Sequence, residues 1–141
     1  LSKQRASMIV CSDKVNQLRH LGFLKNKAEV ENHMKKHADL VRPKFEAAFN
    51  ALDAMSPEIG NYKKPTGGYF ISFNASKPIA KRVIELCKEA GVLITPAGST
   101  YPHFNDPQDS NIRLAPTFLG LDDLKEAMEV FTTALKIAFE E

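Results

Sequence analysis

Residues 27–55 carry the longest hydrophobic periodicity in the sequence, and this feature limits the chain to folds that contain a long helix. Apolar side chains recur there at steps of three and four residues, which is the stripe of an amphipathic helix. Pro43 lies inside the segment and has no backbone donor, so we expect a kink or a break there. Residues 13–24 predict a shorter helix upstream. The stripe of the long segment contains Val30, Met34, Ala38, Val41, Phe45, Phe49 and Leu52.

The remainder of the chain alternates strand patterns with helical ones. Runs of β-branched and aromatic residues predict strands at 68–75, 92–96 and 111–116. The segment between the long helix and the first of these strands is rich in proline and glycine, which is typical of a loop.

Two further helices are expected, over residues 77–91 and 121–140. Pro78 suits the first turn of the former, and Asp122 or Asp123 is expected to cap the latter. The order of elements predicts an α+β fold. It consists of a small antiparallel or mixed sheet of about three strands, covered by helices and preceded by the long kinked helix.

Composition excludes several classes of protein. The 141 residues are enough for one domain, and 19 basic against 17 acidic residues leave a net charge of +2. This balance argues against a nucleic-acid-binding protein, which usually shows a concentrated basic patch. No apolar run approaches the roughly 20 residues that cross a bilayer, so no membrane partner is expected.

The two cysteines, Cys11 and Cys87, are expected to be free thiols. The N-terminal residues do not form a signal peptide, which favours a reducing compartment and a cytoplasmic protein. The chain begins at Leu1 rather than methionine, so we expect further residues upstream.

Arg113 stands in the middle of the apolar run "SNIRLAPTF". On an alternating strand, Ile112 and Leu114 would face the helices while Arg113 faces the other way. The planar fork of a guanidinium fits a carboxylate through two parallel hydrogen bonds. We therefore interpret Arg113 as a site for a carboxylate from outside this chain. The alternative is an ordinary solvated arginine or one half of a surface salt bridge.

Three stretches, "PTGGYFISF", "CKEAGVLITPAGSTY" and "DSNIRLAPTFLGLDDL", resemble the C-terminal portion of fold-type-I, pyridoxal-phosphate-dependent aminotransferases of the aspartate aminotransferase fold. The upstream segments "DKVNQLRHLGFLKN" and "VENHMKKHADLVRPKFEAAFNAL" resemble, more narrowly, a bacterial subgroup of aspartate aminotransferases and MocR-type aminotransferase-like proteins. The resemblance implies that residues 1–26 connect to a large domain outside this chain, and that residues 27–141 form the small domain.

The resemblance also implies a function. The full-length protein would transfer an amino group between an amino acid, aspartate or a similar one, and a 2-oxo acid, and Arg113 would bind the substrate α-carboxylate. Pyridoxal 5'-phosphate and its Schiff-base lysine would belong to the large domain, because Lys3 in "LSKQR" lacks the small-residue surroundings of that lysine. No catalytic residue, cofactor ligand or metal ligand is therefore expected in this chain. The fragment alone would be inactive, and the full-length protein would be a homodimer.

Gly67, Gly68 and Tyr69 are further candidates for lining the entrance to the substrate site. A turn that leads into the strand explains the two glycines equally well. Packing is the simpler interpretation of Tyr69 and of Phe70.

Other functions remain open from the sequence. His33 and His37 have the i, i+4 spacing of two metal ligands, but no third ligand is evident, and a solvated helix face explains them better. The chain could also be the effector-binding domain of a transcription regulator, which a winged-helix segment upstream would indicate. A third interpretation is an independent module that binds small carboxylates through Arg113 without a cofactor.

Overall fold

The structure is a computed structural model that describes residues 13–141. These residues form two compact units, one extending to Leu40 and the other over Val41–Glu141. The helices are α1 (Lys14–Leu24), α2 (Lys27–Asp53), α3 (Ala80–Glu89) and α4 (Leu121–Glu140), with a short 3-10 turn at Pro102–Phe104; the strands are β1 (Gly60–Tyr62), β2 (Ile71–Ala75) and β3 (Asn111–Leu114). None of the helices within residues 13–141 is both long and apolar enough to cross a lipid bilayer.

The first unit contains α1 and the first part of α2. Asp13 begins α1, and its side chain accepts a hydrogen bond from the backbone N–H of Asn16 at 3.0 Å. The ring of Phe23 meets His33 edge-on at 5.2 Å, so an aromatic side chain packs against this histidine. Most of the described large apolar residues of this unit are exposed to solvent, among them Val15, Leu18, Leu21, Met34 and Leu40.

Helix α2 is continuous through Pro43, so the expected break does not occur. A proline removes one hydrogen bond of the helix, and packing of the following turns can offset that loss. The second half of α2 has such packing, because Ala48 and Leu52 are buried and Phe45 is partly buried against the same core.

The sheet is antiparallel, in the order β1-β2-β3, which confirms the α+β fold with three strands. One of the three strands that form the sheet differs from the predicted set. Residues 92–96 form no strand; instead, the hydroxyl of Thr95 donates to the carbonyl of Arg113 at 2.7 Å. Strand β1 was predicted as loop because its glycine and polar residues carry no strand pattern.

Alternation along β2 and β3 separates a core face from a polar face. Ile71, Phe73 and Ala75 of β2 are buried, as are Ile112 and Leu114 of β3. The apolar faces of α3 and α4 cover them, in agreement with their sequence periodicity. The covering side chains include Val83, Cys87, Leu124, Met128, Phe131 and Leu135.

Cys87 is fully buried in this core. Burial raises the pKa of its thiol to about 11, so the side chain is a protonated, inert part of the packing, as expected. Cys11 lies outside the described residues.

The helix ends differ in detail from the sequence predictions. Pro78 precedes α3 rather than occupying its first turn, because the helix begins after Ile79. Helix α4 begins after Gly120, with no side-chain cap. Asp122 and Asp123 lie within its first turn instead, where their charges still interact favourably with the N-terminal end of the helix dipole.

The loop between α3 and β3 is attached to the sheet through Asn111. This residue is buried, and its amide nitrogen donates to the hydroxyl of Ser72 and the side-chain oxygen of Asn74, each at 2.8 Å. Its amide oxygen accepts from the hydroxyl of Thr100 at 2.7 Å. One side chain thus joins β2, β3 and the loop, with its donors and acceptor satisfied.

Asp106 closes the same loop immediately before β3. Its carboxylate accepts from the backbone N–H groups of Ser110 and Asn111 at 2.9 Å each, and from that of Gln108 at 3.0 Å. Desolvation by itself would raise the pKa of Asp106, but the hydrogen bonds from Asn111, Ser110 and Gln108 together hold it below the ordinary value of 3.8. The carboxylate form is therefore the one that stabilises the loop.

We predict that Asp106→Asn destabilises the domain by about 1 kcal/mol at neutral pH, because a charged acceptor is lost. The folded-state pKa is lowered, so this contribution is complete above the ordinary pKa and disappears as the pH falls through the folded-state value. Urea unfolding of the two proteins at neutral pH and at successively lower pH measures the difference. Asp39→Asn, at an exposed position of α2, is the control. A difference that persists unchanged at low pH would contradict the prediction.

We also predict that Gly60→Ala destabilises the pairing of β1 with β2 by roughly 1–3 kcal/mol. A Cβ atom at Gly60 would lie 2.5 Å from the carbonyl oxygen of Asn74 and 2.6 Å from the ring of Phe73. Gly22→Ala is the matched control, since a Cβ there meets nothing within 4 Å and alanine favours the helix. Denaturation midpoints of both variants test this, and equal midpoints would refute the close approach.

Candidate functional site

Arg113 occupies the middle of β3, directly opposite Ser72 of β2. Its neighbours Ile112 and Leu114 are buried in the core, whereas Arg113 is half-buried on the polar face of the sheet. The alternation predicted from "NIRL" is therefore confirmed. The strand fixes the backbone of this arginine while leaving its side chain on the face that the helices do not cover.

The guanidinium of Arg113 has no hydrogen-bond acceptor or carboxylate partner among the described residues. Its Nε atom is buried and unpartnered, and the ion pairs of the described chain involve other residues. A buried donor without an acceptor is costly and uncommon in native proteins. The interpretation of Arg113 as half of a salt bridge within this chain is therefore not supported.

One side chain does contact the guanidinium. The ring centroid of Phe70 lies 4.7 Å from Cζ of Arg113, which is within the range of a cation–π interaction. Phe70 is 50% exposed and Tyr69 51% exposed. Both rings precede β2, which begins at Ile71, and the interpretation of Tyr69 and Phe70 as packing residues stays a prediction.

The polar groups beside Arg113 satisfy one another. Ser72 and Asn74 are its neighbours on the same face of the sheet, and both accept from the buried amide of Asn111. Asn111 is two residues from Arg113 on β3 and thus on the same face. These acceptors are engaged with Asn111, and neither forms a hydrogen bond with the guanidinium of Arg113.

Gly67 and Gly68 lead into this region without touching it. Gly68 has a φ of +88°, a conformation that favours glycine, and this supports the turn interpretation. A Cβ at either position would meet nothing within 4 Å, so neither glycine makes room for another described residue. The structure brings Phe70 to Arg113, and it places Gly67, Gly68 and Tyr69 on the chain segment just before that contact.

Arg113 also borders a cleft of about 640 Å³ between the 90–95 segment, the end of β3 and α4. Apolar residues line most of it, with Asp123 and Glu126 as its acidic members, and no lysine lines it. Lys44 fixes one wall by donating to the backbone carbonyls of Thr117 and Leu119, at 3.1 and 2.6 Å. Lys3 lies outside the described residues.

Alternation along the strand places Asn111 on the face of Arg113, but the sequence did not point to Phe70 as a neighbour of Arg113. A signal was present: Phe70 and Ser72 are two residues apart and share a face, and Asn111 and Arg113 do likewise. The register between β2 and β3, which places Ser72 opposite Arg113, was required to bring the four side chains together.

The family model of aspartate amino-transferase matches residues 1–141, the whole chain. An aspartate aminotransferase of Corynebacterium glutamicum is 40% identical over 131 residues, which are 92% of this chain and 30% of that protein. The crystal structure of an aspartate transaminase from the same organism has a TM-score of 0.85 and 39% identity, and the match covers 89% of this chain and 30% of that one.

A more distant structure has the same fold. LysN, an α-aminoadipate aminotransferase from Thermus thermophilus complexed with N-(5'-phosphopyridoxyl)-L-leucine, has a TM-score of 0.78 and 22% identity; the match covers 98% of this chain and 35% of LysN. The chain thus spans about a third of the length of the relatives it matches. It belongs to the aspartate aminotransferase family, in which it corresponds to the C-terminal part of a fold-type-I aminotransferase.

Proposed function

We propose that the full-length protein is a pyridoxal-phosphate-dependent aminotransferase that acts on aspartate or a similar amino acid and a 2-oxo acid, and that Arg113 binds the α-carboxylate of the substrate. The observation that carries the proposal is the buried Nε of Arg113, which has no hydrogen-bond acceptor within residues 13–141 and lies on the polar face of the sheet. Its planar set of donors suits a carboxylate bound through two parallel hydrogen bonds.

Family membership supports transamination over the alternatives. The identity to an aspartate aminotransferase extends over 92% of this chain, including the strand that contains Arg113. The stand-alone carboxylate module and the effector domain of a regulator require the same arginine, but no observation favours them over an enzyme.

The cofactor would be held by the part of the protein outside this chain. In this family, pyridoxal phosphate serves as an electron sink for the α-carbon of the amino acid. The family resemblance implies that the Schiff-base lysine is supplied from the large domain, upstream of this chain. We propose that residues 1–26 lead from the large domain and that residues 27–141 are the small domain. The family resemblance also supports a homodimeric, cytoplasmic full-length protein.

The contribution of this chain to catalysis would be to bind the substrate and to orient it. Arg113 would hold one end of the substrate, which fixes the position of its α-carbon relative to groups from the large domain. Gly67, Gly68 and Tyr69 would border the path of entry, since they precede the ring that contacts Arg113. Thr95 helps to fix this arginine by donating to its carbonyl.

The test is substitution of Arg113 in the full-length protein. With L-aspartate as donor and 2-oxoglutarate as acceptor, or the best donor from a screen of the proteinogenic amino acids, we expect Arg113→Ala to lower kcat/KM by a factor of tens or more. Loss of one partner of a buried charged pair costs about 2–5 kcal/mol. Arg113→Lys keeps the positive charge but loses the planar set of donors. Its kcat/KM should therefore lie between those of the unsubstituted protein and Arg113→Ala.

The matched control is Arg82→Lys, which alters an arginine paired with Glu141 on the surface. We expect it to leave kcat/KM unchanged. Unchanged efficiency in both Arg113 variants would remove Arg113 from the substrate site. Absence of transamination with every donor tested would refute the enzyme itself.

We predict that the 141-residue chain by itself, supplied with pyridoxal phosphate, does not transaminate. The reason is that the family resemblance places the Schiff-base lysine in the large domain, upstream of this chain. A coupled assay for the 2-oxo acid product measures this, with the full-length protein as the positive control. Turnover by the isolated chain would contradict the division of the active site proposed above.

A further inference from the structure

Phe70 reaches Arg113 for a reason that lies in the sheet register. Phe70 precedes β2 and, by alternation, shares a face with Ser72. Ser72 pairs directly with Arg113 across the antiparallel ladder. Phe70 and Arg113 are therefore diagonal neighbours, at a separation that aromatic and long side chains can span. The observed 4.7 Å from Cζ to the ring centroid agrees with this placement.

The ring is not there to fill the core. Half of Phe70 is exposed, whereas the neighbouring Ile71 is fully buried. A phenyl ring that stays half-exposed gains less from hydrophobic burial than a core ring does, and the contact with a cation is the interaction that distinguishes its position.

Arg113 needs such a contact to keep a defined orientation. No described residue accepts a hydrogen bond from its guanidinium, and its Nε is buried without a partner. An arginine side chain has several rotatable bonds, and ordering them upon ligand binding weakens affinity. A group that restricts the guanidinium beforehand reduces that loss.

The distance of 4.7 Å is compatible with carboxylate binding, because it allows the ring of Phe70 to lie over the face of the guanidinium. The N–H donors of a guanidinium lie in its plane. Phe70 can therefore cover the guanidinium while the in-plane donors stay available for a bidentate pair. The ring also keeps water from one side of the cation, which strengthens its interaction with an anion.

We propose that Phe70 is a positioning residue for Arg113, which holds the guanidinium plane so that its donors meet the substrate carboxylate. This inference rests on the proposed function of Arg113. It assigns a role in substrate affinity to Phe70, the second aromatic residue after the glycine pair.

The experiment uses the full-length protein with Phe70→Leu, which keeps an apolar side chain but removes the ring, and Phe70→Tyr, which keeps the ring. L-aspartate, or the best donor from the screen, and 2-oxoglutarate are varied in turn, and succinate serves as an unreactive competing carboxylate. We expect Phe70→Leu to raise both KM values and the inhibition constant of succinate by about 3- to 30-fold, the range of a partly desolvated cation–π contact. We expect kcat to change by less than about twofold, and Phe70→Tyr to behave as the unsubstituted protein.

The matched control is Phe139→Leu. Lys77 lies 4.2 Å from the centroid of that ring, so the control removes a similar cation–π contact at the end of α4. It should leave both KM values unchanged. A fluorinated phenylalanine at position 70 adds a variant that retains shape and fold but weakens the ring's attraction for a cation. It should raise the succinate constant as Phe70→Leu does.

Two results would overturn the proposal about Phe70 alone. One is a rise in KM for Arg113→Lys together with unchanged constants for Phe70→Leu. The other is an equal rise in KM for Phe70→Leu and Phe139→Leu, which would indicate a general structural effect. If Arg113→Lys itself leaves KM unchanged, the proposed function of Arg113 fails first, and the role of Phe70 fails with it.

Discussion

The antiparallel pairing of β2 with β3 is the constraint on which the rest of this domain depends. Because side chains alternate along both strands, one register decides at once which residues enter the core and which form the polar face. Phe73 lies opposite Ile112 on the core side, where its ring meets Phe131 of α4 edge-on at 5.9 Å. The pair of Ser72 and Arg113 lies on the other side. A slip of one residue would bury the arginine and expose the core.

The same register explains why the polar face is ordered rather than merely solvated. Asn111 is buried on that face, and its amide is satisfied by Ser72, Asn74 and Thr100. A fully satisfied network of this kind stiffens its surroundings, because every alternative arrangement leaves a buried polar group unpaired. The rigidity reaches Arg113 through the two-residue separation on β3. A binding group on such a strand keeps its position better than one on a loop.

The sequence predicted the parts of the fold that depend on local pattern. The periodicity of α3 and α4 and the alternation in β3 are confirmed. Each of these patterns arises because one face of the element is buried, and that face can be read from the segment's own sequence. The sequence-based predictions failed where contacts between distant segments determine which strands pair. Residues 92–96 have a strong strand pattern but no ladder, whereas Gly60–Tyr62 has a weak pattern and pairs with β2. Gly60 can pair with β2 because only a residue without Cβ fits against Phe73 and Asn74. That contact lies between two strands, so the sequence of β1 alone does not reveal it.

The candidate site shows the same division. Arg113 could be singled out because a charged residue between Ile112 and Leu114 contradicts the apolar pattern of its strand. Phe70 could not, since an aromatic residue at the start of a strand ordinarily indicates packing. Its proposed role follows only when the register places it diagonally from Arg113, whose buried Nε has no acceptor among the described residues. A buried donor without an acceptor lowers the stability of the fold. Its presence at Arg113 is therefore evidence for a ligand, because a bound carboxylate would supply the missing acceptor.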